Sequence, residues 1–323
     1  MARIIDIRNG HELSGADGVR TNSLKAWFLA ARPKTLSGAA VPVMIGAAHA
    51  VRTAGIEVLF SSPAVLLCFL FAFIMQIDAN FVNDYYDCQK GRDNEERLGP
   101  LRACQQGWVT MRSMRIAIAI TTLLACIAGL PLAYYGGIEM IAVGAACVIF
   151  CFLYTTCLSS IAMGDVLVLL FFGLVPVCCT YYVAVSGMHV QFSIFNFQWS
   201  SLPWVSALSC GMVVDTLLIV NNYRDTDNDA ASGKKTLVVY LGRKKAEWLY
   251  LFLPTAALVM TLLQFGWSNE NLIFCFIVYF LYIQTWNKMR SIGRGKALNK
   301  VLGMTARNIF IYGFLISALI ILA

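Results

Sequence analysis

The chain has 323 residues, of which 59% are hydrophobic and only 13% are charged. Soluble proteins carry about 25% charged residues, so a chain this apolar needs lipid as its solvent. The composition therefore excludes an ordinary soluble enzyme. The eleven cysteines include no C-x-x-C pair, which indicates small packing residues rather than a thiolate metal site.

Apolar stretches long enough to cross a hydrocarbon core of ~30 Å recur along the whole chain. We predict an all-α integral membrane protein with a polar N-terminal segment (residues 1–35) and a transmembrane domain (residues 36–323). The nine predicted spans are 36–51, 63–86, 114–134, 139–157, 164–186, 204–222, 247–265, 272–287 and 306–323.

The basic residues support this arrangement of spans. Of the 25 Lys and Arg residues, 24 lie in four segments, residues 3–34, 90–115, 224–245 and 288–307. Nine spans place all four segments on the same side of the membrane, and only Arg52 falls on the other side. Because cytoplasmic loops collect Lys and Arg, we predict a cytoplasmic N-terminus. The net charge of +7 then reflects topology and anionic lipid headgroups, and we expect no nucleic-acid partner.

Two spans end in acidic motifs at the same predicted side of the membrane. In each motif the carboxylates and carboxamides recur at helical spacing, so each helix presents one polar stripe. Negative charge at a helix C-terminus is opposed by the helix dipole, which calls for a compensating cation. The first stripe contains Asn80, Asn83, Asp84 and Asp87, and the second contains Asn221, Asp225 and Asp229.

Oxygen ligands without His or thiolate suit Mg²⁺, which binds one or two carboxylates together with substrate phosphates. The motifs are interleaved with basic residues that can neutralise a departing diphosphate. A solvated helix end explains one such motif about as well, but two on corresponding helices favour a shared site. The candidate diphosphate ligands are Lys90, Arg92, Arg97, Arg102, Arg224 and Lys234.

These motifs resemble those of the UbiA superfamily of membrane prenyltransferases, and the resemblance runs over nearly the whole chain. The segment from Asn83 to Asp93, with Arg97-Leu-Gly-Pro-Leu-Arg102 after it, is similar to the branch that prenylates 1,4-dihydroxy-2-naphthoate in menaquinone synthesis. Residues 27–36, 221–225 and 233–242 resemble the same branch. The turn from Tyr154 to Asp165 is shorter than in many relatives, which affects acceptor or chain-length preference.

The resemblance implies nine helices around a central cavity and Mg²⁺-dependent transfer of a polyprenyl group from its diphosphate to the naphthoate, with loss of carbon dioxide. It implies a location in the cytoplasmic (inner) membrane with the active site facing the cytoplasm. The implied metal ligands are Asp84, Asp87, Asp93, Asp225 and Asp229, flanked by Asn80, Asn83 and Asn221.

The resemblance also indicates residues for the acceptor. Arg32 or Lys34 would hold its carboxylate, although both also suit a cytoplasmic membrane anchor. Tyr154 would line the acceptor site, and Asp165 would orient the acceptor hydroxyl or a metal-bound water. The faces of aromatic rings would stabilise the positive charge of the allylic cation. The candidates for this role, each of which also suits ordinary packing, are Tyr85, Tyr86, Tyr154, Phe171, Phe172, Tyr181 and Tyr182.

Two further acids lie inside apolar spans. Asp78 points away from the acidic stripe of its helix, so we expect a structural pairing there. Asp215 precedes Asn221 by one and a half helical turns. Its position is equally compatible with lining the cavity and with a structural pairing.

Three alternatives remain open from the sequence. A relative with another aromatic acceptor, 4-hydroxybenzoate or homogentisate, would carry the same motifs. A cation-coupled secondary transporter also places polar motifs on two related helices, but its site lies near the bilayer midplane rather than at helix ends. A lipid-binding scaffold would be better served by a neutral cavity than by aligned carboxylates.

Overall fold

The computed structural model describes residues 18–91, 98–186 and 201–323, without the side chain of Lys34. These residues form helices joined by turns, with one isolated bridge between Ile161 and Lys235. The helices are α1 (Leu24–Ala31), α2 (Leu36–Ala54), α3 (Ala64–Gln89), α4 (Met111–Gly129), α5 (Leu132–Gly136), α6 (Glu139–Thr156), α7 (Gly164–Leu169), α8 (Val175–Ser186), α9 (Trp204–Ala231), α10 (Leu237–Leu241), α11 (Arg243–Phe265), α12 (Asn269–Ile292) and α13 (Leu298–Leu322).

Eight helical stretches within the described residues are long and apolar enough to cross a membrane, which confirms the predicted all-α membrane class. They are Ala64–Gln89, Met111–Gly136, Glu139–Thr156, Gly164–Ser186, Trp204–Ala231, Arg243–Phe265, Asn269–Ile292 and Leu298–Leu322. They match the second to ninth predicted spans. The first predicted span lies in α2, a 19-residue helix made less apolar by His49 and Arg52. The total of nine spans and the cytoplasmic N-terminus stay predictions.

Small residues let the helices approach closely. A Cβ atom added to Gly46 in α2 would lie 2.5 Å from the carbonyl oxygen of Val177 in α8. A Cβ atom on Gly313 in α13 would lie 2.5 Å from a methyl carbon of Val41 in α2. In a membrane, where helices gain little from the hydrophobic effect, such contacts supply much of the packing energy. These glycines hold α2 against α8 and α13.

Another close approach joins the span Gly164–Ser186 to α9. A π-helical turn (Leu170–Leu174) joins α7 to α8, and it contains Gly173. A Cβ atom on Gly173 would lie 2.7 Å from the carbonyl oxygen of Ala207 and 2.8 Å from Cα of Gly211. The two backbones are therefore in direct contact at this crossing.

The Gly173→Ala variant is expected to be less stable by about 1–3 kcal/mol, because the added methyl group must push the two backbones apart. Thermal unfolding in detergent, followed by intrinsic fluorescence, would measure the change. Gly144→Ala in α6 is the matched control, since nothing lies within 4 Å of a Cβ atom there. Equal melting temperatures for the two variants would contradict this account of the crossing.

A loop of residues 98–110 follows α3 and packs beside its C-terminal half. Trp108 and Val109 join a buried cluster with Val82 of α3 and Ala26 of α1. The backbone N–H of Asn22 donates to the carbonyl oxygen of Trp108 at 2.7 Å. Thr110 then caps α4 by accepting a hydrogen bond from the N–H of Ser113. The loop is thus fixed to both α1 and α3.

Candidate active site

The first acidic motif lies in the last turns of α3, facing the loop of residues 98–110 and the end of α6. The Arg102 guanidinium donates to a carboxylate oxygen of Asp87 at 2.5 Å, and both side chains are largely buried. The Thr155 hydroxyl donates to the side-chain oxygen of Asn83 at 2.5 Å. The ammonium of Lys90 donates to the carbonyl oxygen of Thr156 at 2.7 Å. Lys90 and Arg102, two predicted diphosphate ligands, therefore lie beside this motif.

Asp84 is fully buried, and both of its carboxylate oxygens contact the loop of residues 98–110. One oxygen accepts the backbone N–H of Ala103 at 2.8 Å, and the other accepts that of Cys104 at 3.0 Å. Burial raises the pKa of the Cys104 thiol, and the neighbouring Asp84 charge raises it further. Asp84 thus anchors the loop and, through it, fixes the position of Arg102.

Asn80, predicted as a flanking metal ligand, connects α3 to the turn between α1 and α2. Its side-chain amide donates to the carbonyl oxygen of Ala31 at 2.9 Å and to the hydroxyl of Thr35 at 3.0 Å. Arg32 sits in this turn with a positive φ of 50°. The Thr35 hydroxyl in turn donates to the Arg32 carbonyl oxygen at 2.9 Å. Asn80 therefore serves to place the Arg32 turn beside α3.

The second acidic motif lies in the last turns of α9 and is tied to the first helical turn of α13. Arg224, which is 2% exposed, donates two hydrogen bonds to the Asp225 carboxylate at 2.8 and 2.6 Å. It also donates to the side-chain oxygen of Asn299 at 2.9 Å. The Asn299 amide donates to the carbonyl oxygen of Leu98 at 2.8 Å. These hydrogen bonds hold together α9, α13 and the start of the loop of residues 98–110.

The other acids of α9 differ sharply in burial. Asp229 is buried and accepts a hydrogen bond from the Lys234 ammonium at 3.4 Å, while its second oxygen has no hydrogen-bond partner. Asp227 is exposed and pairs with Arg243 at 3.0 Å. Asp229 therefore faces the interior of the site and Asp227 faces outward.

The two motifs approach each other around Tyr154, near the end of α6. The charges of Asp87 and Asp229, one from each motif, act on the Tyr154 hydroxyl, as do those of Asp165 and Asp215. A small cavity beside Tyr154 brings three predicted site residues, Tyr154, Asp165 and Lys234, together with other polar and apolar residues. Its lining is Tyr154, Ser159, Ala162, Gly164, Asp165, Leu218, Asn222, Lys234 and Thr236.

The two acids inside the spans have different surroundings. Asp78 accepts hydrogen bonds from the hydroxyls of Thr121 at 2.5 Å and Thr122 at 3.0 Å, both in α4. This pairing joins α3 to α4 and agrees with the structural role expected for Asp78. Asp215 is 3% exposed and has a carboxylate oxygen without a hydrogen-bond partner.

Some candidates lie elsewhere or outside the described residues. Arg92, Asp93, Arg97 and the side chain of Lys34 belong to the undescribed part. Tyr181 bonds with Thr53 at 3.4 Å, near the His49–Ser206 pair, at the end of the bundle opposite the motifs. The structure therefore does not bring Tyr181 to the motifs, and the predicted contact of Tyr181 and its neighbour Tyr182 with the allylic cation stays a prediction.

Sequence reasoning missed Thr155, Asn222 and Asn299. Thr155 follows the predicted Tyr154 directly, and Asn222 follows Asn221, so adjacency to a candidate was a usable signal for both. Asn299 lies 75 residues after its partner Arg224 and carries no local motif. Its role depends on tertiary packing of α13.

The oxygen donors of the site suit a magnesium ion shared with a diphosphate. The described residues include no group of three or more His, Cys, Asp or Glu side chains placed to hold a metal alone. Mg²⁺ needs only one or two carboxylates when phosphate oxygens and water complete its shell. Asp229 offers a buried oxygen without a hydrogen-bond partner, and the charges of Asp225 and Asp87 act on it.

Curated relatives cover most of this chain. It is 32% identical to the 1,4-dihydroxy-2-naphthoate octaprenyltransferase of Escherichia coli K12 over 244 residues, covering 73% of this chain and 74% of the relative. It is 33% identical to the enzyme of the same name from Mycobacterium tuberculosis over 242 residues, covering 74% and 77%.

Solved structures share the fold at low sequence identity. An apo UbiA homolog from Aeropyrum pernix is 16% identical with a TM-score of 0.68, covering 88% of this chain and 98% of that one. A UbiA homolog from Archaeoglobus fulgidus bound to DMAPP and Mg²⁺ is 14% identical with a TM-score of 0.56, covering 92% and 99%. The model of the UbiA prenyltransferase family matches residues 39–314. With its paired acidic helix ends, this membrane protein is therefore a prenyltransferase enzyme and belongs to the UbiA prenyltransferase family.

Proposed function

We propose that this enzyme transfers a polyprenyl group from its diphosphate to 1,4-dihydroxy-2-naphthoate, with loss of carbon dioxide, to give demethylmenaquinol. The observation that carries the proposal is the meeting of both acidic motifs around Tyr154, beside a small cavity that also contains Asp165 and Lys234. The names of the curated relatives support the choice of acceptor. The magnesium-bound UbiA homolog supports the choice of metal.

Asp87, Asp225 and Asp229 would hold Mg²⁺ directly, with Asn83 and Asn221 beside them and Asp93 completing the first motif. Bound there, the ion would neutralise the charge that develops on the departing diphosphate. We assign Asp84 to the loop anchor and Asn80 to the Arg32 turn, because their polar groups already bond to backbone and hydroxyl partners.

The basic residues around the motifs would bind the diphosphate. Asp87 compensates the charge of Arg102, and Asp229 that of Lys234. Each cation can turn from its carboxylate to a phosphate oxygen as that carboxylate turns to Mg²⁺. Charge-assisted hydrogen bonds of this kind strengthen as the leaving group gains charge. Lys90, Arg92 and Arg97 would complete this set, while Arg224 would hold Asp225 in place.

The acceptor would occupy the cavity beside Tyr154, with its carboxylate toward Arg32 or Lys34. Phe150 and Phe171 pack together with ring centroids 5.2 Å apart, on the two helices that lead to the cavity. Apolar aromatic walls would exclude water from the allylic cation and favour its charge. The 24 basic residues clustered at the motif side favour a site that faces the cytoplasm.

The test is an assay of the purified protein with Mg²⁺, a long-chain prenyl diphosphate and one acceptor at a time. Naphthoate is expected to give demethylmenaquinol, diphosphate and carbon dioxide in equal amounts, and chelation of Mg²⁺ is expected to stop all three. Product from 4-hydroxybenzoate or homogentisate alone would keep the reaction type and overturn the acceptor. Transport of the substrates without any diphosphate release would overturn the proposal as a whole.

A further inference from the structure

Asp165 and Asp215 belong to two helices whose antiparallel register places them opposite each other. Gly173 contacts Ala207, and a Cβ atom on Gly211 would lie 3.0 Å from Cα of Leu169. One turn further toward the motif end, the same register brings Asp165 in α7 opposite Asp215 in α9. Beyond this pair, a Cβ atom on Gly164 would lie 3.3 Å from the Leu218 side chain.

Both carboxylates are buried, with 7% of Asp165 and 3% of Asp215 exposed. Each has one oxygen without a hydrogen-bond partner, and the charge of Asp165 acts on Asp215. No Lys or Arg in the described part of the chain forms an ion pair with either. Two adjacent negative charges that form no ion pair are strongly disfavoured in an apolar interior.

The pair is therefore expected to hold one proton and one negative charge. Asp165 lies in the first turn of α7, where the helix dipole favours negative charge, whereas Asp215 lies in the middle of α9. The resting proton belongs on Asp215, and the Asp165 carboxylate is free to accept another. Asp165 also lines the cavity beside Tyr154, so a ligand bound there would meet it.

We propose that Asp165 and Asp215 form a proton-sharing pair that takes the hydroxyl proton of the acceptor while the carbon–carbon bond forms and returns it afterwards. The inference rests on the proposed function and adds to it a pair of residues for the acceptor half of the reaction. Asp165 is the group that contacts the acceptor, and Asp215 is the positioning residue that shares its proton with Asp165.

The proton balance of the reaction suits an enclosed pair. The hydroxyl proton moves to Asp165, and the electron pair of its O–H bond enters the ring to form a carbonyl. The ring carbon that bears the carboxylate forms a bond to the allylic carbon, whose bond to the diphosphate breaks with both electrons leaving on the diphosphate. The bond to the carboxylate then breaks, carbon dioxide leaves, and its electron pair restores the aromatic ring as a phenolate. The phenolate takes the proton back from Asp165.

No proton is exchanged with water in this cycle, so a pair sealed inside the protein can serve every turnover. An acceptor that loses a ring hydrogen instead of carbon dioxide, such as 4-hydroxybenzoate, would leave one extra proton in the site each time. The pair therefore favours acceptors that carry a hydroxyl next to a carboxylate that departs.

The test compares the Asp165→Asn and Asp215→Asn variants with the wild type in the naphthoate assay over a range of pH. At neutral pH, Asp165→Asn is expected to lower kcat by about 100-fold or more, the effect of removing a general base, with the KM for prenyl diphosphate unchanged. Asp215→Asn is expected to lower kcat by about 10-fold. Asp165 then keeps a polar side chain beside it but loses the carboxyl group with which it shares a proton. The rates of both variants should rise toward the wild-type rate as higher pH ionises the acceptor hydroxyl in solution.

Other titratable groups face the pair and must be accounted for in this profile. Tyr154 of α6 lies near both carboxylates, and the charges of Asp87 and Asp229 act on Tyr154 as well. Lys234, in the turn after α9, lines the same cavity as Asp165. These four groups are present in the wild type and in both variants. The ratio of variant rate to wild-type rate therefore isolates the effect of the pair.

Mg²⁺-dependent binding of an unreactive prenyl thiodiphosphate verifies that each variant is folded. A variant whose rate is reduced equally at every pH, or not reduced at all, would overturn the proton-sharing role. If a variant loses thiodiphosphate binding, single-turnover kinetics of the wild type in D₂O decide the matter. Slower turnover in D₂O than in H₂O is expected for a proton transfer in the bond-forming step, and an equal rate would overturn the proposal. A wild type that binds the thiodiphosphate but does not turn over naphthoate would instead overturn the proposed function.

Discussion

Asp225→Asn is expected to lower prenyl transfer by at least about 100-fold at saturating prenyl diphosphate. The substitution keeps the shape of the side chain but removes the negative charge that would face Mg²⁺. It also leaves the buried guanidinium of Arg224 without its carboxylate partner. Loss of one preorganised electrostatic group of this kind lowers kcat by a factor of ~10²–10³. Steady-state assays over a range of Mg²⁺ concentrations would measure both the lower rate and a higher metal requirement.

Asp227→Asn is the matched control for this prediction. Asp227 lies two residues away on the same helix, but it is exposed and pairs with Arg243 outside the site. Exposed ion pairs contribute about 1 kcal/mol or less, so this variant should keep more than half of the wild-type turnover. Equal losses in the two variants would show that general damage to the end of α9, and not the metal site, explains the effect.

Asp84→Asn is expected to release the loop of residues 98–110 and to lower turnover by about 10- to 100-fold. An amide offers only one acceptor oxygen, and its NH₂ group would face one of the two backbone N–H donors. A buried donor left without a partner costs about 1–3 kcal/mol, a factor of about 5 to 150 in an equilibrium constant. Arg102 would lose its fixed position beside Asp87.

The thiol of Cys104 reports on this loop independently of activity. In the wild type its pKa is raised by burial and by the Asp84 charge, so little reactive thiolate is present at neutral pH. Removing that charge and loosening the loop both lower the pKa, and labelling by a maleimide should become about 10-fold faster or more. Exposed Cys157 serves as the internal control, with an unchanged labelling rate. Unchanged protection of Cys104 in Asp84→Asn would contradict the role of Asp84 as the loop anchor.

The membrane fold was largely predictable because lipid imposes a long apolar segment for each crossing. Eight predicted spans match eight helices, and the differences concern their ends. Helix α9 continues to Ala231, well beyond the predicted end at residue 222. The acidic motif is therefore part of the helix, as its helical spacing predicted, although it lies beyond the apolar span. Its polar residues find partners such as Arg224, Lys234 and Asn299, which hydropathy does not register.

The composition of the site was predictable, but the division of roles within each motif was not. Spacing placed Asn80, Asn83, Asp84 and Asp87 on one stripe, and all four lie at the motif end of α3. Which of them contacts a loop, a hydroxyl or an arginine depends on elements distant in the sequence. Asp84 meets residues 19 and 20 positions away, and Asn80 meets Ala31, 49 positions away. Pairing between α7 and α9, which brings Asp165 to Asp215, likewise depends on the contacts of Gly173 and Gly211.

The chain of contacts from Arg224 through Asn299 to Leu98 has a consequence for biosynthesis. Asn299 belongs to α13, which the ribosome makes long after Leu98 and Arg224. Until α13 enters the bilayer, the loop of residues 98–110 and α9 lack the amide that joins them. A nascent or truncated chain without α13 therefore cannot form this connection.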